Sequence, residues 1–350
     1  MREAAGDAMT GDRRPIAVLV DREGLGDALL KAPFLRALRR AFPEREVWWI
    51  ATHQTAMADA LRAMFSQDIA QVIAYAGLNG RVSEVLARLR ALPAFAQVFD
   101  ARTKIAAVAL ARYGLRHRGF YCCLPGFLLC DGPHPRRTRP RHIAERMLSL
   151  IGPAAGRPPD PSGWLTPTEE ARAASERLLP SGPAYVGIAP GSREAAKNWP
   201  LEGFLELARA LGAAGAVPVF LLGPMEGAVE ARIEAAAPGA LVLRSEGADQ
   251  APGDSLDLLV AKGQRLSLLV ANDNGVGHLV GGAGTPVLSL FGPTDPRRWA
   301  PVAPANRILR AQDFGAAEIG AIPARAVVEA AMEMLERPAE ARPAVSLRPP

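Results

Sequence analysis

Three glycine-bearing loops hold the residues best suited to chemistry in this 350-residue chain. In DREGLGDALL, Gly24 and Gly26 lead into Asp27 at the start of a helical stretch. A carboxylate there either caps the helix or takes a proton from a hydroxyl group. Leu29 stands where a dinucleotide fingerprint has its third glycine, so that motif is incomplete. In APGSREAAKNWP, Gly191, Ser192 and Lys197 follow an apolar run. Backbone N–H groups, a hydroxyl and an ammonium in that setting suit an anion such as phosphate. The chain has only four Lys against 37 Arg. Lys197 is therefore either an ordinary loop lysine or one kept as a compact point charge. In ANDNGVGHLVGGAGTP, Asp273 ends an apolar run, and Asn274, Gly275 and Gly277 open a glycine-rich helix with His278 one turn in. Small residues admit a ligand close to the backbone, and the helix N-terminus favours a diphosphate. His278 is either a hydrogen-bond donor to that group or a structural histidine. Glu226, after FLLG, is either a holder of ribose hydroxyls or an acid favoured by a helix N-terminus.

These loops need strands and helices to aim them. PIAVLV (15–20), EVWWIA (46–51), IAQVIAY (69–75) and AQVFD (96–100) read as strands, with amphipathic stretches between them. The stretch 26–42 reads as a helix broken at Pro33, and 55–65, 81–92 and 104–114 as further helices, with 143–152 another. The pattern restarts with AYVGIAP (184–190), a helix over 201–215, VPVFLLG (217–223), a helix over 225–237, LSLLVAND (266–273) and PVLSLFG (286–292). Continuous apolar strands alternating with helices imply parallel sheets covered on both faces, with ligands at the carboxyl ends of strands. The expected organisation is an N-terminal Rossmann-like unit over 15–152, a Pro- and Gly-rich linker over 153–180, a second Rossmann-like unit over 181–320 and a terminal helix over 321–338. Residues 1–14 and 339–350 read as disordered tails.

Composition narrows the classes. Hydrophobic residues make up 49% and charged residues 22%, which fits a soluble α/β chain with a sizeable core. No apolar run approaches bilayer length and no signal-peptide pattern is present, so a cytoplasmic location is expected. The net charge of +5 is mild, but Arg136, Arg137, Arg139 and Arg141 cluster in one Pro-interrupted stretch. Such a cluster is either a solvated loop or a site for an anionic partner. Aromatic residues are only 6% and none interleave with it, which disfavours nucleic acid. Cys122, Cys123, Cys130 and His134 have poor zinc spacing, because adjacent cysteines cannot easily share one tetrahedral ion, and free or buried thiols are expected. There is no Asp-x-Asp loop, no P-loop and no nucleophile elbow, so no metal site is expected.

Together the loops resemble glycosyltransferase family 9, the ADP-heptose:lipopolysaccharide heptosyltransferases. The resemblance runs through GLGDALLKAPFLRALRRAFP, APGSREAAKNWPLEGFLELARAL and NDNGVGHLVGGAGTPVLSLFGPTDP, spread over residues 16 to 300. RHIAERMLSLIG adds a weaker match, with His142, Glu145 and Arg146 in a His-x-x-Glu-Arg pattern. The resemblance implies a GT-B fold, two Rossmann-like lobes facing across a cleft, and inverting transfer without a metal or a cofactor, the nucleotide sugar being a substrate. It implies that Asp27 is the general base, that Lys197 contacts phosphate with Ser192 nearby, and that Asp273 holds the donor sugar. Asn274, Gly275, Gly277 and His278 then form the diphosphate turn, and Glu226 the ribose contact if a one-residue gap is allowed. An anionic glycolipid acceptor makes Arg102, Lys104, Arg136, Arg137, Arg139 and Arg141 acceptor-side candidates. It also implies peripheral contact with the inner face of the cytoplasmic membrane. The sequence departs from the family at Asn274, where Ser or Thr is usual, and at Asn198, where a basic residue is common. The other readings are a glycosyltransferase with a different donor or acceptor in surface-glycan synthesis, and a non-catalytic nucleotide-sugar-binding protein.

Overall fold

A computed structural model describes residues 13–132, 139–223, 229–244 and 256–336. In chain order the first part runs β1 (Ile16–Val20), α1 (Leu25–Leu29), α2 (Ala32–Ala41), β2 (Val47–Ala51), β3 (Gln71–Ile73), α3 (Val82–Ala91), β4 (Phe95–Asp100), α4 (Ile105–Gly114), β5 (His117–Cys122), α5 (Ile143–Leu148) and α6 (Ile151–Ala155). The second part runs α7 (Glu169–Leu178), β6 (Tyr185–Ala189), α8 (Leu201–Ala213), β7 (Val217–Leu222), α9 (Glu230–Ala236), β8 (Leu241–Arg244), α10 (Leu256–Gln264), β9 (Leu266–Asn272), α11 (Gly275–Gly282), β10 (Val287–Phe291), α12 (Pro296–Trp299), β11 (Asn306–Arg310) and α13 (Ala324–Glu336).

Two parallel sheets result, a five-stranded one ordered β3-β2-β1-β4-β5 and a six-stranded one ordered β11-β10-β9-β6-β7-β8. Their central strands carry unbroken apolar runs because both faces are covered: Ile16, Ala17, Val18 and Leu19 are wholly buried, and so are Leu269, Val270 and Ala271. The order fixes where ligands can sit. In the second sheet β6 lies between β7 and β9, so the connections leaving β6 and β9 start side by side at the carboxyl edge. That is the switch point at which open parallel sheets leave a crevice.

The described residues divide into two compact units, with boundaries at Gly24/Leu25, Pro33/Phe34, Arg139/Pro140, Glu145/Arg146 and Asp160/Pro161. These boundaries differ from the expected break near residue 152. Helix α1 and the start of α5 group with the second unit, where Leu30, Ala144 and Val302 form a small core with Ile143 and Trp299.

Local differences from expectation have physical causes. The stretch 26–42 forms two helices, and the break falls at Leu30 and Lys31 rather than at the proline. Pro33 sits in the first turn of α2, where its missing N–H is harmless. Residues 55–65 wind through turns instead of a helix, because Thr55 and Ser66 bond their hydroxyls to nearby backbone or to Glu23. The stretch 143–152 divides into α5 and the start of α6. The expected linker contains α7, whose N-terminus is capped by Thr168 accepting from the Ala171 N–H. The stretches expected as disordered tails lie largely outside the described residues, at 1–12 and 337–350.

Candidate functional site

Asp273 follows the last residue of β9, between two asparagines that fix it to the loop leaving β6. The Asn272 amide donates to the Pro190 carbonyl at 2.5 Å and accepts from the Trp199 N–H at 3.3 Å. The Asn274 amide donates to the Gly191 carbonyl at 2.7 Å and to the Ala189 carbonyl at 3.3 Å. Its oxygen meanwhile caps α11 by accepting from the Gly277 N–H at 2.9 Å. Buried amides with satisfied donors and acceptors act as rigid connectors. Asn274 is thus committed on both ends to holding the loops, and donation from its NH2 group to a ligand would break one of those bonds.

The two asparagines set Lys197 beside Asp273. Lys197 Nζ lies 3.1 Å from Asp273 Oδ2 and 3.4 Å from Glu194 Oε1. The Thr294 hydroxyl donates to the same Asp273 oxygen at 2.7 Å. Burial works against the Lys197 charge, but the Asp273 and Glu194 carboxylates outweigh it and hold the ammonium above the ordinary lysine value. Ser192 is half-buried in the same loop, where its hydroxyl accepts from the Glu194 N–H at 3.3 Å.

Helix α11 starts beside this pair. With the Gly277 N–H taken by the cap, the N–H groups of Gly275 and Val276 have no partner within the helix, and they lie at its positive end. Helix α1, which carries Asp27, packs on α11 within the same compact unit. Two glycines permit this. A Cβ on Gly26 would lie 2.8 Å from Cδ2 of His278, and one on Gly275 would lie 2.9 Å from Cδ2 of Leu25. The Asp27 carbonyl accepts from Lys31 Nζ at 2.9 Å, which closes the helix at its far end.

His278 is buried under α1, and its Nδ1 has no hydrogen-bond partner among the described residues. Burial lowers its pKa to about 4, with Asp273 opposing and His142 and Lys197 adding to the fall. The imidazole is therefore neutral at pH 7. Unfolded, it titrates near the ordinary value of 6.5, so the unfolded chain takes up this proton first as pH falls. His278 thus contributes stability that is complete above pH 6.5 and is lost as pH falls to about 4. In urea unfolding at pH 7 and pH 5, the wild type is expected to lose more stability than His278→Asn, and equal losses would refute this linkage.

Other candidates lie elsewhere. Arg102 is buried and bidentate to Asp100, with Nε to Oδ1 at 2.9 Å and Nη2 to Oδ2 at 2.7 Å, and it also donates to the Ala107 carbonyl at 3.1 Å. Its charge is answered inside the first unit by Asp100, at the end of β4. Lys104 is exposed at the N-terminus of α4. Arg139 donates to the Cys123 carbonyl at 2.7 Å, and Arg141 is exposed. Arg136, Arg137, His134 and Glu226 lie outside the described residues. His142 is buried and bonds the Ala300 carbonyl through Nε2 at 2.9 Å. Sequence reasoning did not single out Asn272 or Thr294. The only signal for Thr294 was its place in GPTDP, and for Asn272 its place directly before Asp273. Among the described residues no group of three or more His, Cys, Asp and Glu side chains is placed to hold a metal ion, and no helix is long and apolar enough to cross a membrane.

Residues 106–320 match the family described as glycosyltransferase family 9 (heptosyltransferase). The match includes Lys197, Asp273 and α11 but begins after Asp27. Among solved structures, a glycosyl transferase family 9 protein from Veillonella parvula DSM 2008 is similar at 21% identity, over 92% of this chain and 97% of that one, with a TM-score of 0.67. E. coli heptosyltransferase WaaC, solved with ADP, is 19% identical over 91% of this chain and 99% of that one, with a TM-score of 0.63. E. coli ADP-heptose lps heptosyltransferase II is 19% identical over 91% of this chain and 98% of that one, with a TM-score of 0.61. At such identities the likeness is one of fold, the GT-B class with its pair of parallel α/β units. No curated protein sequence matches the chain.

Proposed function

Because this chain belongs to glycosyltransferase family 9, and is accordingly a glycosyltransferase of heptosyltransferase type, we propose that it moves a heptose or closely related sugar from ADP-heptose to a lipopolysaccharide core or related glycolipid, with inversion and without a metal ion. The observation that carries this reading is the packing of the Asp27 helix on α11, beside the Lys197–Asp273 pair.

In this reading the donor diphosphate lies at the N-terminus of α11, against the N–H groups of Gly275 and Val276, with Lys197 as the cation beside it. Asp273 holds Lys197 in place and accepts from a donor-sugar hydroxyl with its other oxygen. The acceptor hydroxyl attacks the anomeric carbon opposite the diphosphate, the bond to the diphosphate oxygen breaks, and Asp27 takes the hydroxyl proton. Charge grows on the leaving oxygen as that bond breaks. The Lys197 ammonium and the end of α11 stabilise it from fixed positions, which is the work a divalent ion does elsewhere. Neutral His278, with one ring nitrogen uncommitted, suits a hydrogen bond to a phosphate oxygen. A glycolipid acceptor would bring the enzyme to the inner face of the cytoplasmic membrane, and the exposed Arg141 and Lys104 suit its anionic groups.

The test is a thermal-shift series with ADP, UDP and GDP, followed by transfer from ADP-heptose to a truncated lipid A–Kdo acceptor. ADP at about 100 times its Kd is expected to add about 2.7 kcal/mol of stability by linkage. Preference for UDP or GDP would assign a different donor, and no shift with any of the three would remove the donor-site reading.

A further inference from the structure

Cys122 and Cys130 stand apart from the site described above, in the first unit. Their Sγ atoms are 3.3 Å apart, inside ordinary sulfur–sulfur contact. Cys122 ends β5, and the chain then folds back sharply through Gly126, Phe127 and Leu129, all with positive φ of 63°, 56° and 70°. Left-handed conformations at Phe127 and Leu129 are unfavourable by themselves and need support. The support comes from both ends. The Phe127 ring is buried, and the Cys130 N–H donates to the Phe127 carbonyl at 3.1 Å. Asp131 accepts from the Phe120 N–H at 2.8 Å and pairs with Arg112 at 2.6 and 2.8 Å. The loop therefore presents one thiol to the other in a fixed geometry.

We propose that Cys122 and Cys130 form a modification site, an oxidisable thiol pair that closes a reversible disulfide when a low-molecular-weight disulfide serves as oxidant. The two sulfurs have distinct roles. Cys130 is partly exposed and Cys122 is buried, so Cys130 meets the oxidant first. The Cys122 N–H donates to Cys130 Sγ at 3.0 Å, which favours a negative sulfur there. The thiol of Cys122 and this backbone bond hold Cys130 below the ordinary cysteine value, and the same contact with burial pushes Cys122 up.

The Cys130 thiolate attacks one sulfur of the oxidant, whose S–S bond breaks and releases one small thiolate. The mixed disulfide on Cys130 is then attacked by Cys122, which gives up its proton to the medium as its sulfur bonds Cys130 Sγ. The second small thiolate leaves. Two protein thiols become one disulfide, two electrons pass to the oxidant, and it becomes two thiols. Cys123 is excluded although adjacent in sequence. It is buried, its sulfur lies 3.6 Å from the Met147 sulfur, and burial pushes its pKa to about 12.

The test uses the full-length wild-type chain, treated with oxidised glutathione under native conditions. Thiols titrated after denaturation are expected to fall from three to one, with peptide mass mapping showing a Cys122–Cys130 link that dithiothreitol removes. C122S is expected to stop at a glutathione adduct on Cys130, C130S to stay unmodified, and C123S to close the disulfide as the wild type does. Three thiols remaining in the wild type, or a link involving Cys123, would overturn the proposal.

Discussion

Asp27→Asn is expected to lower glycosyl transfer by about 10²–10⁴-fold, the range in which a positioned general base contributes. Nucleotide binding is expected to stay within about twofold, because the groups proposed to bind ADP lie on α11 and on the loop after β6 rather than on α1. The substitution keeps the side-chain shape while removing the negative charge and the capacity to take a proton. It also leaves the Gly26–His278 and Leu25–Gly275 contacts intact, since neither involves the carboxylate. Steady-state transfer assays with saturating donor, beside ADP titrations, separate the two effects. Full turnover in this variant would sink the base assignment. A parallel loss of ADP affinity would instead give Asp27 a part in shaping the donor site.

Lys197→Met is the second large effect. It removes the ammonium 3.1 Å from Asp273 and leaves a carboxylate whose side chain is 8% exposed, with the Thr294 hydroxyl as a remaining partner. Stranding such a group costs on the order of 2 kcal/mol of stability. Removing a fixed positive charge from the leaving group costs about 10²–10³-fold in kcat. The double variant Lys197→Met with Asp273→Asn separates these roles. With both charges gone, stability is expected to recover substantially while transfer stays low. Recovery of transfer in the double variant would mean that Lys197 serves only to neutralise Asp273.

The strands were legible because parallel sheets buried on both faces demand continuous apolar runs, as in IAVLV and LSLLVAN. The strands missed, β5 (HRGFYC), β8 (LVLR) and β11 (NRILR), are sheet edges, one of the first sheet and both of the second, where polar residues shorten or break the run. The site loops were legible for a related reason, since glycines and polar residues interrupt the chain just where a strand ends. What those loops touch was not legible. Arg102 and Asp100 are two residues apart in sequence, and nothing in that spacing says whether the pair is buried or faces solvent. Asn274 read as a substitute phosphate ligand, yet its amide ties together segments more than eighty positions apart. The same limit applies to α1, whose partner lies far along the chain.

The docking of α1 on α11 has a consequence during synthesis. A five-residue helix has no stability of its own, so α1 takes its place only against a packing surface. That surface begins at Gly275. At about 5–20 residues per second, the ribosome reaches it roughly 10–50 s after it has made α1. Throughout that interval the segment carrying Asp27 lacks the α11 surface on which it packs. The carboxylate proposed as the base is made well before α11, and its helix docks there only once α11 has been made.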